Sequence, residues 1–126
     1  MKYKTVLLID DDEDSNFVNN WIIKQSLAEK VIIKQSATEA LKYLNTQSES
    51  VENLPDIIFL DLRMPIMDGF EFLNEFDKLP QAILKKSKVI VLSSSFDKND
   101  YHKAINNKYV CQYLIKPINI DELIQI

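Results

Sequence analysis

Short runs of consecutive apolar residues recur along the chain, separated by longer segments with polar ends. Five of these runs are rich in Val, Ile and Leu and show little alternation with polar residues. They cover residues 6–9, 31–33, 57–60, 89–92 and 110–115. Such runs are typical of strands buried on both faces, as in a parallel sheet with helices on either side. The pattern therefore predicts an α/β protein with five strands.

Helical segments are expected between the runs, the first over residues 14–28. A side chain suited to helix capping precedes each of four further segments, at Ser36, Asp68, Asp97 and Asn119. The expected inward residues are Phe17, Trp21 and Ile22 in the first helix, Ala40, Leu41 and Leu44 in the second, and Phe72, Leu73 and Phe76 in the third. The sequence stops at Ile126, so the last helix is predicted to be truncated.

Length and composition narrow the class of protein. With 126 residues, 46% of them hydrophobic, the chain can bury a sizeable core, and a single domain over residues 1–126 is expected. The formal net charge of −4 argues against a nucleic-acid surface, which needs clustered Lys and Arg. The apolar runs are too short to cross a membrane and no signal segment is evident, which indicates a cytoplasmic protein. The single cysteine, Cys111, excludes an internal disulfide and is expected to be a small buried residue.

Polar side chains follow four of the five apolar runs. Asp10 and Asp11 follow the first run, Asp61 the third, Ser93 the fourth and Lys116 the fifth. The carboxyl ends of parallel strands share one sheet edge, where ligands of open α/β sheets bind. The sequence therefore predicts a crevice that holds three carboxylates, a hydroxyl and an ammonium group.

This combination of groups suits phosphoryl chemistry. Crowded carboxylates without His or Cys favour a hard cation such as Mg²⁺, which also accepts water and phosphate oxygens as ligands. A carboxylate beside such a cation can attack phosphorus and form an aspartyl phosphate. Lys116 can neutralise charge on the phosphoryl oxygens, and the Ser93 hydroxyl can donate a hydrogen bond to one of them.

Four sequence motifs occupy these strand ends in order. They are Leu-Ile-Asp-Asp-Asp at 8–12, Leu-Asp-Leu-Arg-Met-Pro-Ile-Met-Asp-Gly at 60–69, Leu-Ser-Ser at 92–94 and Tyr-Leu-Ile-Lys-Pro at 113–117. Together they resemble the receiver domains of two-component response regulators, the CheY-like superfamily, and the resemblance spans nearly the whole chain. It implies a flavodoxin-like fold, a doubly wound five-stranded parallel sheet with strand order 2-1-3-4-5 and helices on both faces.

The resemblance also implies a role for each site residue. Asp61 would be the phosphoacceptor and Lys116 the phosphate-binding lysine, with a cis bond between Lys116 and Pro117. Mg²⁺ would be held by Asp10, Asp11, Asp61 and the backbone carbonyl of Arg63. The chain would not be an enzyme beyond catalysing its own phosphorylation and dephosphorylation.

Signalling in the family implies a switch and protein partners. Ser93 would be the switch hydroxyl and Tyr113 the switch aromatic, acting on a face built from the fourth helix, the fifth strand and the start of the fifth helix. A sensor histidine kinase or a histidine phosphotransfer protein would supply the phosphoryl group. A downstream protein or output domain would receive the signal, and a phosphorylation-dependent dimer is a further possibility.

The chain departs from the family pattern at a few positions. The glycine that many receivers carry before the fifth strand is replaced near residues 109–111. Ser93 and Ser94 stand where Thr-Ala is commoner, so a second hydroxyl is present. Arg63 and Ser95 occupy positions that, in the family, tune the lifetime of the phosphoryl group.

Two other functions remain open. A phosphatase-like hydrolase with an aspartate nucleophile usually carries another Asp two residues after that nucleophile, where this chain has Arg63. A receiver used only for binding, without phosphorylation, would be expected to lack an acid or the lysine. The sequence retains Asp10, Asp11, Asp61 and Lys116.

Overall fold

A parallel sheet of five strands lies at the centre of the fold, in the order β2-β1-β3-β4-β5. The structure is a computed structural model and describes residues 2–123. The strands are β1 (Tyr3–Ile9), β2 (Ala28–Lys34), β3 (Ile57–Asp61), β4 (Lys88–Ser93) and β5 (Val110–Ile115). The predicted flavodoxin-like fold with strand order 2-1-3-4-5 is confirmed.

Helices cover both faces of the sheet. They are α1 (Glu13–Ser26), α2 (Ala37–Thr46), α3 (Gly69–Phe76), α4 (Gln81–Lys86) and α5 (Lys98–Ile105), with short 3-10 turns at Val51–Asn53 and Ile120–Glu122. α1 and the segment after β5 pack on one face, and α2 to α5 pack on the other. None of the helices in the part of the chain that is described is long and apolar enough to cross a membrane.

The side chains of each strand alternate between the two faces, which explains why the apolar runs are continuous. In β1, Val6 and Leu8 join the core beneath α1, whereas Leu7 and Ile9 join the core beneath α2 and α3. All five residues of β3 are buried, including Asp61 at its end. Asp61 is therefore held by a strand that is packed on both sides.

The predicted helix starts are found where the capping residues placed them. The side chains of Ser36, Asp68 and Asp97 each accept a hydrogen bond from a backbone N–H three residues later. Asp68 and Glu71 form a complete capping box at the start of α3. The predicted core residues Phe72, Leu73 and Phe76 of α3, and Ala40 and Leu44 of α2, are buried.

The prediction for the buried face of α1 is wrong for Phe17 and Trp21, whereas Ile22 is partly buried against the core. Phe17 is 76% exposed and Trp21 is 62% exposed, although both were expected in the core. The buried residues of α1 are instead Asn16, Asn19 and Ile23. The two asparagines occupy the inward stripe because they hydrogen-bond to backbone groups there, so the rotation of the helix follows polar contacts rather than the apolar pattern.

Smaller differences concern element boundaries and burial. α1 ends two residues earlier than predicted, and β2 begins at Ala28, directly after the helix cap at Leu27. The sequence did not predict α4, so the predicted fourth helix, which begins after Asp97, is α5 of the structure. Cys111 is half-buried rather than fully buried. Asn119 caps a short 3-10 turn, and the rest of the predicted final helix, residues 124–126, lies outside the described residues.

Candidate functional site

Three carboxylates meet at the carboxyl edge of the sheet. Asp10 directly follows β1 and Asp61 ends β3, and these strands are hydrogen-bonded neighbours. Oxygens from Asp10, Asp11 and Asp61 lie within 4.8 Å of one another. Asp10 is 1% exposed and Asp61 is 6% exposed, while Asp11 is exposed. Two buried acids thus lie side by side, with a third carboxylate at their solvent side.

Lys116 lies against both buried acids. Its Nζ atom is 2.6 Å from Asp10 Oδ2 and 3.6 Å from Asp61 Oδ1. The position is fixed by the sheet, since the Lys116 backbone N–H donates to the Ser93 carbonyl at 2.8 Å beyond the end of β5. The bond between Lys116 and Pro117 is cis, as expected from the family motif.

Ser93 and Arg63 line the same edge with different partners. The Ser93 hydroxyl donates to the Ser95 carbonyl at 2.7 Å, so it is bonded within its own loop. The Arg63 backbone N–H donates to Asp61 Oδ1 at 3.4 Å, whereas its guanidinium forms an ion pair with Asp100.

The balance of charges sets the pKa of Asp61. Burial raises this pKa, the Asp10 carboxylate raises it further, and the Lys116 ammonium and the Arg63 N–H lower it. The result is a pKa of about 6, compared with an ordinary value of 3.8. Asp61 is therefore largely ionised at neutral pH but is held in an environment that opposes its charge.

The donor set fits a hard divalent cation. The cluster of Asp10, Asp11 and Asp61 offers carboxylate oxygens and contains neither His nor Cys. Mg²⁺ prefers such oxygen ligands and commonly binds through one or two carboxylates together with water and phosphate oxygens. A divalent cation would also offset the repulsion between acids that Lys116 only partly neutralises.

Comparison with known proteins places this geometry in a family. The profile of the response regulator receiver domain matches residues 6–126. The chain belongs to this family. It is thus a receiver domain of two-component systems, as its motifs indicate.

Two curated proteins are similar to this chain in sequence. Response regulator Rcp1 of Synechocystis is 32% identical over 123 residues, covering 95% of this chain and 81% of Rcp1. The probable methanogenesis regulatory protein FilR2 of Methanothrix harundinacea is 36% identical over 84 residues, covering 67% of this chain and 52% of FilR2. The match to FilR2 therefore spans about half the length of that protein.

Solved structures of receivers have the same fold. A two-component response regulator from Cytophaga hutchinsonii superposes with a TM-score of 0.87 at 34% identity, covering 96% of this chain and 91% of that one. The Mn²⁺-bound form of Rcp1 superposes with a TM-score of 0.73 at 30% identity, covering 94% of this chain and 85% of that one.

Three polar residues on α1 support the acidic cluster of this receiver, and the sequence did not reveal them. Ser15 Oγ donates to Asp10 Oδ2 at 3.0 Å, and Asn16 Nδ2 donates to the Asp10 carbonyl at 2.8 Å. Asn19 Oδ1 accepts the N–H of Ile118 at 2.9 Å and so ties α1 to the loop after Lys116. The spacing of these polar residues along one side of α1 was the only feature of the sequence that could have indicated their role.

Gly69 allows α3 to begin close to the end of β3. A Cβ atom at this position would lie 2.8 Å from the Asp61 carbonyl oxygen and 2.8 Å from Leu62 Cα, both on the backbone. The Gly69 N–H donates to the Leu62 carbonyl at 3.0 Å. The absence of a side chain therefore lets the helix start pack directly on the end of β3.

Tyr113 belongs to an aromatic cluster between β5 and α5. Its ring packs edge-on against Phe96 and Tyr101, with ring centroids 6.2 and 5.5 Å away. The ring is half-buried, and its hydroxyl is buried without a hydrogen-bond partner among the described residues. A buried hydroxyl without a partner is unfavourable, so this position is weakly secured.

Proposed function

We propose that Asp61 is the phosphoacceptor of this receiver. The observation that carries the proposal is a buried carboxylate flanked by a second buried acid at the same sheet edge and by the Lys116 ammonium, 3.6 Å from Asp61 Oδ1. An Asp61 oxygen attacks phosphorus, and the bond from phosphorus to the donor atom breaks. The leaving group departs with that electron pair, and Asp61 keeps the phosphoryl group as an acyl phosphate.

The neighbouring residues of this chain stabilise the transferred group. Lys116 lies close enough to Asp61 for its ammonium to neutralise the phosphoryl oxygens. Mg²⁺, held by the carboxylates of Asp10, Asp11 and Asp61 with the carbonyl of Arg63, would screen charge between the acids and the phosphoryl oxygens. The Mn²⁺-bound structure of Rcp1 supports a divalent cation in this family.

The switch would use Ser93 and Tyr113. The single hydroxyl proton of Ser93 is given to the Ser95 carbonyl, so bonding to a phosphoryl oxygen requires that contact to break. Movement of Ser93 would vacate space beneath α5, which Tyr113 fills by turning inward. Because the new hydrogen bond exists only after phosphorylation, it supplies the differential contact that a population shift needs.

A protein donor and a protein target complete the proposed function. A sensor histidine kinase or a histidine phosphotransfer protein would supply the phosphoryl group. The face formed by α5, β5 and the segment from Asn119 would contact a downstream protein, an output domain or a second copy of the chain.

The chain is proposed to form a single domain. All five strands of the described residues belong to one sheet, which supports this proposal.

Incubation with acetyl phosphate and Mg²⁺ tests the phosphoacceptor. Intact mass should show one phosphoryl adduct in the wild type and in Asp12→Asn, which retains the α1 cap outside the carboxylate cluster. Asp61→Asn, and wild type in chelator, should show little adduct. An adduct that forms equally in Asp61→Asn would assign the phosphoryl group elsewhere.

The same reaction separates the two alternative functions. Continuous release of phosphate from a simple phosphate monoester, over many turnovers, would indicate a hydrolase. A complete lack of adduct with every small-molecule donor would indicate a receiver that only binds. Arg63 stands at the sequence position where the hydrolase class has a second Asp, which favours the receiver function.

A further inference from the structure

Arg63 connects two parts of the receiver that are distant in sequence. Its guanidinium forms an ion pair with Asp100, which lies in the first turn of α5. Its backbone N–H donates to Asp61 Oδ1 at 3.4 Å. One residue thus contacts the proposed phosphoacceptor through its backbone and α5 through its side chain.

The ion pair holds the guanidinium on the α5 side of the loop. The Arg63 side chain is 65% exposed, and the Asp100 side chain is 14% exposed. An ion pair with one largely exposed partner is weakened because water competes for the guanidinium. The contact therefore fixes a preferred direction for Arg63 and can be exchanged for a stronger one.

A phosphoryl group on Asp61 would offer Arg63 that stronger partner. Phosphorylation adds close to two negative charges and three acceptor oxygens, and a guanidinium can bind phosphate through two parallel hydrogen bonds. Arg63 lies two residues from Asp61, and its backbone nitrogen already contacts that carboxylate. Because the arginine side chain is long and flexible, the guanidinium can turn from Asp100 toward a group on Asp61.

We propose that Asp100 is a positioning residue for Arg63. It holds the guanidinium away from the phosphoacceptor, and Arg63 exchanges Asp100 for the phosphoryl oxygens when Asp61 is phosphorylated. This inference rests on the proposed function of Asp61 and extends it to the regulation of the same site.

The exchange gives α5 a direct response to phosphorylation. Asp100 carries an N–H that is bonded to the Asp97 side chain, and a negative charge is favourable at this end of the helix. The helix end therefore offsets part of the cost of releasing Asp100. The next residue, Tyr101, packs against Tyr113, so a shift in the first turn of α5 reaches the proposed switch aromatic.

Phosphorylation rates with acetyl phosphate test the exchange. Asp100→Asn should free Arg63 to meet the donor and raise the second-order rate constant about twofold to fivefold, the range expected for loss of one competing surface ion pair. Asp97→Asn is the matched control, since it removes one negative charge from the same helix end and keeps a capping side chain. Its rate should equal that of wild type.

The double variant decides whether Arg63 carries the effect. In an Arg63→Gln background, which keeps the backbone N–H and carbonyl, Asp100→Asn should change the rate by less than a factor of two. Equal acceleration by Asp97→Asn, or undiminished acceleration in Arg63→Gln, would overturn the positioning role. A wild type that forms no adduct would overturn the proposed function as well, whereas an adduct rate that ignores Asp100 overturns only this inference.

Discussion

Asp61 lies between a carboxylate that repels it and an ammonium that attracts it, in a position that water barely reaches. Burial and Asp10 raise its pKa to about 6 despite Lys116. The fold therefore holds the proposed phosphoacceptor in a charged state that its surroundings oppose. Such stored repulsion favours binding of a cation, because the cation relieves it only in the native arrangement.

Replacement of Asp61 should reveal this repulsion as a pH-dependent gain in stability. In chelator, Asp61→Asn should be more stable than wild type by about 1 to 2 kcal/mol at pH 7.5, because it removes a disfavoured charge. The folded pKa is about 6 and the ordinary value is 3.8. The penalty is therefore complete above the folded pKa and disappears as the pH falls toward the ordinary value.

Thermal unfolding of both proteins measures the difference directly. The advantage of Asp61→Asn should shrink as the pH falls from about 7 to about 4, since over that window wild-type Asp61 binds a proton in the fold but not in the unfolded chain. Excess Mg²⁺ should reverse the order by stabilising the wild type more strongly. A difference that stays constant with pH in chelator would mean that Asp61 carries no such penalty.

The residues that follow the strands could be predicted from sequence because chain order fixes their place. Asp10, Asp61 and Lys116 each come directly after an apolar run, and parallel strands bring such positions to one edge. Ser15 and Asn19 could not be found in this way. Their contacts depend on how α1 is rotated about its axis, and the apolar positions Phe17 and Trp21 indicated the wrong rotation.

At the scale of elements, β4, β5 and α5 would carry the proposed switch from the site to the surface. The Ser93 hydroxyl is bonded to the Ser95 carbonyl, and the Ser95 N–H returns a weaker bond at 3.4 Å. Tyr113 contacts Tyr101 on α5 and loses no hydrogen bond when it moves, since its buried hydroxyl has no partner among the described residues. The ring can therefore move without breaking a hydrogen bond, whereas the loop must break the bond between Ser93 and Ser95.

Loss of the Ser93 hydroxyl should uncouple phosphorylation from this movement. Ser93→Ala should still accept a phosphoryl group on Asp61 but show less than half of the wild-type change in amide exchange across residues 93–118, because the differential hydrogen bond is absent. Ser94→Ala is the matched control, since Ser94 is the adjacent exposed hydroxyl.

Tyr113→Ala should likewise reduce the response by removing the ring that fills the vacated space. If Ser93→Ala and Tyr113→Ala both respond to phosphorylation as the wild type does, the signal leaves by another face. Partner binding or dimerisation measured on the same variants should follow the exchange data.

Element prediction succeeded where capping chemistry was explicit and failed where an element was short. Asp68 and Asp97 cap the first turns of α3 and α5 with side-chain hydrogen bonds, and residues of this type before a helix can be recognised in the sequence. α4 has only six residues, too few to show a period, and it follows Pro80 without a side-chain cap. Pro80, followed by helix-forming residues, was the only remaining indication in the sequence that a helix begins there.

At the scale of the whole molecule, α1 presents an apolar surface beside the entrance to the site. Val18 of α1 lines a cleft of about 380 Å³ together with Lys116 and Pro117. Phe17 and Trp21, one helical turn apart, are exposed on the same helix. A protein that transfers a phosphoryl group to Asp61 must approach this edge of the sheet, so α1 lies where such a donor would make contact.

Truncation of this aromatic pair should weaken transfer from a protein donor and spare transfer from a small molecule. With a phosphorylated histidine phosphotransfer protein that reacts with the wild type, Phe17→Ala and Trp21→Ala should each lower the second-order rate about tenfold, as expected for interface anchors. Labelling by acetyl phosphate should stay unchanged, because that donor needs only the site. Val51→Ala is the control, since Val51 is 52% exposed in the turn before β3, at the opposite end of the sheet. Equal losses with both donors would point to damage at the site, and no loss with either would place the donor on another surface.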